Sequence, residues 1–452
     1  MASIRSTMLA TASLALLAVP AMAQETITIE AWTVGPDDPS EPRATNLERA
    51  AEALNQTLEA EGADYRVEIE TDFDNSNWDS YRRRVLLSFE AGNAPDIISS
   101  AHIDVAPWSD AGFIAPLDDY IESHEQFDDI VPALWDAVTY RGSRWAIPQD
   151  TEARPLYFSK VLLAEAGWSD DEIDALPERI RSGDFTWDDV MSVAADAIES
   201  GAVQEGHGYW HRPVNGPDFW QFMLLHGATL QDAETGNLIY DVEVGEKVLS
   251  MFETMVQDGI LTPDVNGMSW NDFHAQTGSG DSVLFWSGGT WNWSEWATAH
   301  VADRGGVDYL QEAVGFGLQP AADPDVGPLT LSQPHSYMIS EGSEHKDIAA
   351  RLLAHAQNPE IEQNHFLRSL RPPVLQASRD LEEFENDWFI SRIAYMADYS
   401  GFQPLHPSLG VYSENYYRVL TAVEQGEFDA AMGAEILAEE LARDLGDAIE
   451  IR

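Results

Sequence analysis

Strand and helix patterns alternate through the first part of the chain. Apolar residues recur at every second position in some segments and at helical spacing in others. The predicted order is a strand over 27–32, a helix over 47–58, a strand over 65–69, a helix over 78–90 and a strand over 94–99. Strands that alternate with helices are typical of a parallel sheet covered by helices. The sequence therefore predicts an α/β fold.

The same patterns continue to the end of the chain. Thr186 followed by Asp189 is an approximate capping box for a helix that ends at Gly201. A strand-like run over 329–339 precedes a helix over 344–356, and an acidic helix is predicted over 429–447. The length of 452 residues allows two to three domains, yet no linker composition separates them. We therefore expect the chain to cross between domains several times.

The N-terminus has the three parts of a secretory signal. Arg5 is followed by an uncharged apolar stretch over 8–19 and by the small-residue site Ala21-Met22-Ala23, so cleavage is predicted before Gln24. The alternative is an N-terminal anchor helix. The sequence contains no cysteine, which excludes disulfides and thiol chemistry and leaves no residue for a lipid anchor after the signal. We expect export to a periplasm.

The charge balance excludes several partners. The formal net charge is -53, which repels phosphate backbones and anionic lipid surfaces, so nucleic-acid or membrane-surface binding is disfavoured. The acids are scattered, as on a solvated surface in a saline habitat. The alternative is calcium binding, but Asp232 to Gly236 only approaches the EF-hand spacing. No segment has the motif of a metal site or a cofactor, and we expect neither.

Enzyme motifs are also missing from the sequence. It has no G-x-S-x-G elbow and no P-loop lysine, and the pair Gly315 and Gly317 lacks the third glycine of a dinucleotide loop. His207 and His211 have zincin spacing, but Gly208 stands where the general base should be. A glycosidase needs two spaced carboxylates, and no motif among the 78 acids frames such a pair. A secreted carbohydrate-active enzyme is the less favoured interpretation.

Five stretches resemble a known family, the extracellular solute-binding protein family 1, which includes maltose- and trehalose-binding proteins. They are Tyr81 to Ile98, which ends in Phe-Glu-Ala-Gly-Asn-Ala-Pro-Asp-Ile; Ala111 to Tyr120; Trp145 to Pro148 with Leu156 to Lys160; Phe185 to Asp189; and Phe285 to Trp291. Two positions depart from the family pattern. Phe158 replaces a common tyrosine, and Leu331 to His335 replaces a usual glycine pair.

The resemblance implies a two-lobed periplasmic binding protein fold of type II, in which two mixed α/β domains are joined by hinge segments around a ligand cleft. It places the first crossing near 150–154 and returns near Gly327 and Pro373. The predicted boundaries are a signal peptide over 1–23, an N-terminal lobe over 24–150 and 329–373, and a C-terminal lobe over 151–328 and 374–452.

The function that the resemblance implies is capture of a sugar or oligosaccharide for an ABC importer. The expected partners are that carbohydrate and the permease subunits in the inner membrane, and the chain is expected to be a monomer. The alternatives are a polyol or glycosylated osmolyte as ligand, and service to a chemoreceptor. A strongly anionic ligand is disfavoured by the net charge, with Arg154 and Arg371 as a local exception.

A sugar site should combine aromatic rings, which pack on C–H faces, with groups that pair its hydroxyls. The 15 tryptophans far exceed what one cleft needs, so position selects among them. The candidate ligand-binding residues are Trp32, Asn75, His102, Asp150, Glu152, Arg154, Trp210, Trp270, Trp286, Gly288, Gly289, Trp291, Gln333, His335 and Arg371.

Different reasons select these candidates. Trp32 and His102 follow predicted strands, where ligands bind in open α/β sheets, and Asn75 precedes a helix. The hinge residues over 150–154 combine acids with an arginine, which can bind hydroxyls or form an internal salt bridge. The glycines over 288–289 allow close approach of a ligand, and Trp291 after them offers a stacking platform. The other tryptophans can equally be core residues. Gln333 and His335 lie at the later crossing, and Arg371 resembles a late ligand-binding arginine of sugar-binding relatives.

Overall fold

The computed structural model describes residues 24–35, 41–75, 77–232 and 234–452. The predicted signal peptide over 1–23 lies outside the described residues. Within the described ranges, no helix combines the length and the apolar character that crossing a bilayer requires.

Fifteen strands occur in the described residues. They are β1 (Glu25–Val34), β2 (Tyr65–Asn75), β3 (Ile97–Ala101), β4 (Thr139–Tyr140), β5 (Ser143–Arg144), β6 (Ile147–Pro148), β7 (Leu156–Ser159), β8 (Tyr209–Trp210), β9 (Leu238–Tyr240), β10 (Phe285–Ser287), β11 (Val314–Gly317), β12 (Thr330–Ser332), β13 (His335–Ile339), β14 (Ser400–Phe402) and β15 (Ile449–Ile451).

The α-helices of the same residues are α1 (Pro42–Glu61), α2 (Trp78–Ala91), α3 (Val105–Asp110), α4 (Asp118–Glu122), α5 (Lys160–Glu165), α6 (Asp170–Ser182), α7 (Trp187–Glu199), α8 (Trp220–Leu225), α9 (Val242–Gln257), α10 (Trp270–Thr277), α11 (Asn292–Glu295), α12 (Val307–Ala313), α13 (Lys346–Ala356), α14 (Pro359–Ser369), α15 (Glu382–Asn386), α16 (Ile390–Ile393), α17 (Leu409–Glu424) and α18 (Ala430–Leu445). The predicted alternation of strands and helices at the N-terminal end is confirmed.

The first lobe is built on a five-stranded sheet in the order β2-β1-β3-β13-β6. β1 is parallel to β2 and β3, whereas β13 is antiparallel to both of its neighbours. Adjacent residues of a strand point to opposite faces, so Ile97 packs in one apolar cluster with Leu54 while Ile98 packs in another with Val85. Helices therefore cover both faces of the sheet, as the apolar strands require.

The second lobe is built on a four-stranded sheet in the order β11-β7-β10-β8. β7 runs antiparallel to β10 and β11, and β8 is parallel to β10. One large apolar cluster surrounds this sheet and includes α9, α17 and α18. Its fully buried tryptophans are Trp187, Trp210, Trp220, Trp286, Trp293 and Trp296. Most of the aromatic residues that the sequence supplies therefore form core and not binding surface.

The predicted strand over 329–339 is wrong as a single element. Pro334 divides it into β12 and β13, because proline has no N–H to donate to a ladder, and its carbonyl accepts a hydrogen bond from His102 N (2.9 Å). β12 pairs with β14, whereas β13 belongs to the first sheet. The third strand also begins at Ile97 and not at Ala94, since Pro95 precedes it.

The segments 149–154 and 330–335 run side by side between the two sheets. Thr151 Oγ1 and Ser332 Oγ lie 2.6 Å apart, and Arg154 N donates to Thr330 Oγ1 over 2.6 Å. The first segment leads from β6 in the first sheet to β7 in the second, and the second segment returns to β13. These two connections therefore support each other at the centre of the molecule. The lobe boundaries given above stay a prediction.

Candidate functional site

A cleft of about 770 Å³ opens between the two sheets. Its walls come from both lobes and from the connecting segments. The residues that carry its chemistry are Arg43, Trp78, Arg82 and Asp104 on the first lobe; Glu152, Arg154, Gln333 and His335 on the connections; Arg371 after α14 and Gln403 after β14; and Arg212, Asn215, Trp291 and Ser413 on the second lobe.

Trp291 is held in the cleft by the loop that follows β10. Gly289 N donates to Asn292 Oδ1 (2.9 Å), and Tyr157 Oη donates to the carbonyl oxygen of Gly289 (3.0 Å). A Cβ added at Gly289 would lie 2.1 Å from a ring atom of Trp291, so the indole covers a backbone position that admits no side chain. Gly288 is also confined, because Tyr157 would meet its Cβ at 3.2 Å. The glycine pair thus lets the ring of Trp291 lie against the loop.

Three arginines surround the ring of Trp291. The guanidinium carbons of Arg154, Arg371 and Arg212 lie 4.9, 5.3 and 5.7 Å from the ring centroid. These distances are within the range of cation–π attraction, which fixes the orientation of both partners. Trp291 itself is half-buried, so part of its ring remains available to a ligand.

Two carboxylates neutralise part of this positive charge. Arg154 binds Glu152 through Nη2 (2.6 Å) and Asp218 through Nη1 (2.9 Å), and Arg212 Nη1 lies 3.3 Å from Asp218. Burial favours the neutral form of Arg154, but the carboxylates of Asp218 and Glu152 outweigh it and raise its pKa. Burial would likewise raise the pKa of Asp218, yet the charges of Arg154 and Arg212 hold it below its ordinary value.

Asp150 lies behind the cleft and connects its elements. Its carboxylate is 3.2 Å from Arg43 Nη2, accepts from His365 Nε2 (3.0 Å) and from the backbone N of His335 (3.0 Å), and is 3.6 Å from Arg371 Nε. Burial alone would raise the pKa of Asp150, but Arg371, the hydrogen bond from His365 and the charge of Arg43 hold it well below its usual range. Asp150 is therefore ionised and joins the first lobe to the connections.

The buried histidines of the site add no charge at neutral pH. Burial and the charge of Arg43 hold the pKa of His335 well below its ordinary value, and burial also lowers the pKa of His365 in spite of Asp150. Burial lowers the pKa of His102 to about 4. The electrostatics of the cleft therefore depend on its arginines and carboxylates.

The first lobe contributes an aromatic residue of its own. Trp78, at the start of α2, is half-buried, and its ring centroid lies 5.4 Å from that of His335. Arg82 lies over the same ring at 5.1 Å, and its Nε donates to both carboxylate oxygens of Asp104 (2.8 and 2.9 Å). Each lobe therefore presents one tryptophan to the cleft, flanked by charged groups.

The structure brings six of the predicted site residues to the cleft surface, and three more support it. The six are Glu152, Arg154, Trp291, Gln333, His335 and Arg371. Asp150 lies directly behind them, and Gly288 and Gly289 form the loop under Trp291. That these residues contact a ligand stays a prediction.

Three predicted residues of the first lobe lie away from the cleft surface. Trp32 is buried in the first-lobe core, and Arg84 lies 3.9 Å from its ring centroid. The side chain of Asn75 accepts hydrogen bonds from the backbone N of Asn77 (3.3 Å) and from Ser80 Oγ (2.8 Å), which organises the turn before α2. His102 is completely buried beneath the cleft wall.

Three predicted tryptophans of the second lobe also lie outside the cleft surface. Trp210 and Trp286 are register partners on neighbouring parallel strands, so both point to the same face, and both are fully buried in the core. Trp270 is 39% exposed and stacks on His274, with ring centroids 5.2 Å apart. The guanidinium carbon of Arg212 lies 4.6 Å from the ring centroid of Trp270, and this contact connects Trp270 to the cleft.

Sequence reasoning missed Arg43, Arg82, Arg212 and Asp218. Arg212 follows β8 at its carboxyl end, the same position that selected His102 after β3. Applied to the second lobe, that rule would have found it. Asp218 and Arg43 have no local signal, because their roles depend on ion pairs with Arg154, 64 residues away, and with Asp150, 107 residues away.

The fold and the cleft define a two-lobed binding architecture, and comparison with known proteins agrees. Residues 44–363 match the family model described as bacterial extracellular solute-binding protein. The match covers more than half of the sequence, and the chain belongs to this family. The protein is therefore of an exported class.

Two curated relatives share short stretches with the chain. It is 28% identical over 120 residues to an uncharacterized lipoprotein in the oleD 5' region of Streptomyces antibioticus. These 120 residues are 26% of this chain and 24% of the relative. It is 26% identical over 93 residues to the maltotriose-binding protein of Pyrococcus abyssi. These 93 residues are 21% of this chain and 20% of the relative. The chain thus spans a quarter or less of the length of these relatives.

Solved structures match almost the whole chain. The GacH receptor of Streptomyces glaucescens, solved unliganded and with acarbose, has a TM-score of 0.70 at 16% identity over 94% of this chain and 99% of that one. The sugar-binding protein MalE of Xanthomonas citri has a TM-score of 0.70 at 17% identity over 93% and 100%. At these identities the likeness concerns the fold, and the predicted two-lobed architecture is confirmed.

Proposed function

We propose that the protein is the substrate-binding component of an ABC importer and that it captures a sugar or oligosaccharide in the cleft between its lobes. The observation that carries the proposal is the placement of Trp78 and Trp291 on opposite lobes of one cleft, each flanked by arginines and carboxylates. Indole rings pack on the C–H faces of sugar rings, and charge-assisted hydrogen bonds pair sugar hydroxyls.

The same geometry explains how binding is signalled. A ligand that contacts both lobes at once has more contacts in the closed arrangement than in an open one, and this differential affinity shifts the population toward closure. The hydrogen-bonded connections over 149–154 and 330–335 are the segments around which the lobes would rotate. A permease that recognises the closed arrangement then receives only loaded protein.

The remaining parts of the proposal concern location and fate of the ligand. Residues 1–23 direct export to the periplasm and are removed there, and the protein acts as a monomer on permease subunits of the inner membrane. The ligand is released chemically unchanged. The family description supports export and solute binding, and the sugar-binding relatives support a carbohydrate ligand.

A thermal-shift screen on the chain from residue 24 onward tests the proposal. The panel should hold neutral sugars, maltodextrins, sugar acids, polyols, amino acids and short peptides. A ligand at a hundredfold excess over its Kd should add about 2.7 kcal/mol to the free energy of unfolding. Chromatography of the recovered ligand should show no cleavage product.

Two results would contradict the proposal. Stabilisation by amino acids or peptides with none by any carbohydrate would place the protein in another ligand class. Turnover of a bound glycoside would make it an enzyme. The variant Trp291→Ala is the matched control, because a ligand that binds it as tightly as the unchanged protein is not bound in this cleft.

A further inference from the structure

The charges around Trp291 do not cancel. The arginines that surround its ring are Arg154, Arg212 and Arg371, whereas the carboxylates within hydrogen-bond distance of them, among the described residues, are Glu152 and Asp218. Three arginines therefore share two carboxylates at hydrogen-bond distance, and Asp150, 3.6 Å from Arg371, is shared with Arg43. This excess stands out because the whole chain has 78 acidic residues and 25 basic ones.

Arg371 is the least tightly paired of these arginines. Its Nε lies 3.6 Å from Asp150 and its Nη2 lies 3.7 Å from Glu152, both beyond hydrogen-bond distance. The side chain is 10% exposed, it lines the cleft, and its Nε has no hydrogen-bond partner within the described ranges. A guanidinium has five N–H donors, and those of Arg371 that face the cleft make no side-chain hydrogen bond within the described ranges, so an acceptor in the cleft can pair with them.

The neighbouring arginine is also incompletely used. Arg212 makes one side-chain hydrogen bond in the described part of the chain, from Nη1 to Asp218 at 3.3 Å, and its Nε has no partner there. Its side chain is 13% exposed and lines the same cleft. Two guanidinium groups with unused N–H donors therefore lie on the ring that would bind a sugar.

The other acids of the cleft compensate this charge only in part. Asp104 is bound by Arg82, and the single charge of Asp150 is divided between Arg43 at 3.2 Å and Arg371 at 3.6 Å. Asp79 and Glu414 line the cleft but are exposed, where water and salt screen them from the buried cluster. The surplus at Trp291 is thus a property of the buried site.

We propose that the carbohydrate bound in this cleft is a sugar acid, whose carboxylate pairs with Arg371 and Arg212 while its ring packs on Trp291. The inference rests on the proposed carbohydrate ligand and names its chemical class. Guanidinium matches a carboxylate in geometry and charge, and such pairs are the stronger hydrogen bonds of protein sites. A neutral sugar would leave Arg371 with only its contacts to Asp150 and Glu152, both longer than hydrogen bonds, whereas a ligand carboxylate could pair with it directly.

Titration calorimetry with matched sugars tests the inference. The pairs are glucuronate with glucose, galacturonate with galactose, and trigalacturonate with maltotriose, with acetate as a simple anion. At least one acid should bind about tenfold or more tighter than its neutral counterpart, and acetate should not bind. Arg371→Gln should weaken that acid by about tenfold to a hundredfold, and Arg371→Lys should weaken it less, since the charge remains.

The matched control is Arg181→Gln, which removes one positive charge from the surface pair with Glu178. It should leave the affinity unchanged. Neutral sugars that bind as tightly as the acids would overturn the inference and leave the proposed function standing. Binding of amino acids or peptides with no binding by any sugar would overturn both. If Arg371→Gln does not fold, the matched sugars on the unchanged protein still decide.

Discussion

Trp286 and Trp291 stand on either side of the same glycine pair, yet they belong to different regions of the molecule. Trp286 is fully buried in the second-lobe core, where its ring lies 5.8 Å from Tyr157 and 6.0 Å from Trp296 between centroids. Trp291 is half-buried in the cleft among guanidinium groups. The comparison teaches that the strand places one indole in the core, and that the loop after the strand places the next one at the site.

The two regions also differ in their content of charged side chains. The core around Trp286 consists of apolar and aromatic side chains, and its stability comes from their burial and close packing. The cleft around Trp291 contains buried arginines and carboxylates, which cost desolvation energy and need partners. The first region is built for stability, and the second retains polar groups that a ligand can use.

The largest effect should come from emptying the core. Trp286→Ala should lower the free energy of unfolding by about 3–5 kcal/mol, because a fully buried indole leaves a cavity. Denaturant unfolding followed by circular dichroism measures it. Trp286→Phe is the matched variant and should lose clearly less, since most of the volume remains filled. A loss below about 1 kcal/mol for the alanine variant would break the distinction between the two regions.

Glu362 is a buried acid whose hydrogen-bond partners among the described residues are all uncharged, unlike those of the carboxylates in the cleft. Glu362 accepts from the backbone N of Val374 and Leu375 and from Ser378 Oγ, and burial raises its pKa to about 7. The unfolded chain releases this proton near pH 4.5, whereas the folded chain keeps it, so stability should fall as pH rises from about 4.5 to about 7. The expected loss is about 3 kcal/mol.

Glu362→Gln should remove that part of the pH dependence, and unfolding curves between pH 4.5 and 8 measure the difference between the two proteins. Asp150 in the cleft should behave in the opposite way, because its pKa is held well below its usual range. Its contribution to stability is present above its unfolded value of 3.8 and is lost as pH falls. Parallel curves for the Glu362 variant and the unchanged protein would contradict the prediction.

Periodicity predicted the regular elements of the fold because each depends on its own residues. The capping box of Thr186 and Asp189 and the helix predicted over 78–90, which ends just before Gly92, both follow from local chemistry, and both are present. The run over 329–339 failed because Pro334 redirects the chain toward two different sheets. Tertiary packing decides which strands pair, so strand pairing cannot be predicted from the local pattern of a single sequence.

The candidate site residues that the sequence predicted are those marked by their local sequence. Those that join the site through ion pairs with residues far away in the sequence were not predicted. Trp291 and the segment over 150–154 were found from the loop and from the crossing that the family resemblance implies. Arg212 and Asp218 join the cluster only after folding brings the segment between β8 and α8 beside Arg154. The tryptophans predicted on β8 and β10 lie in the core, because aromatic content alone does not say which face of a strand a ring occupies.

Removing the ring in the cleft should separate binding from stability. Trp291→Ala should weaken the bound carbohydrate by about 2 kcal/mol, roughly thirtyfold in Kd, because the stacking platform is lost. The free energy of unfolding should change by less than about 1 kcal/mol, since the residue is half-buried. Trp291→Phe keeps an aromatic face and should retain part of the affinity. Unchanged affinity of the alanine variant would remove Trp291 from the site.

The smallest expected effect concerns the glycine beneath that ring. Gly289→Ala would place a Cβ 2.1 Å from the far edge of the Trp291 indole, which must turn away from its position. We expect a loss of about 1 kcal/mol in binding, close to fivefold in Kd, with little change in the unfolding midpoint. Gly342→Ala is the control, because the nearest atom to its added Cβ is Ser340 Oγ at 4.0 Å. Equal carbohydrate affinities for the two alanine variants would show that the ring of Trp291 does not need this close contact with the backbone. The cleft would then tolerate changes in packing that the core around Trp286 does not.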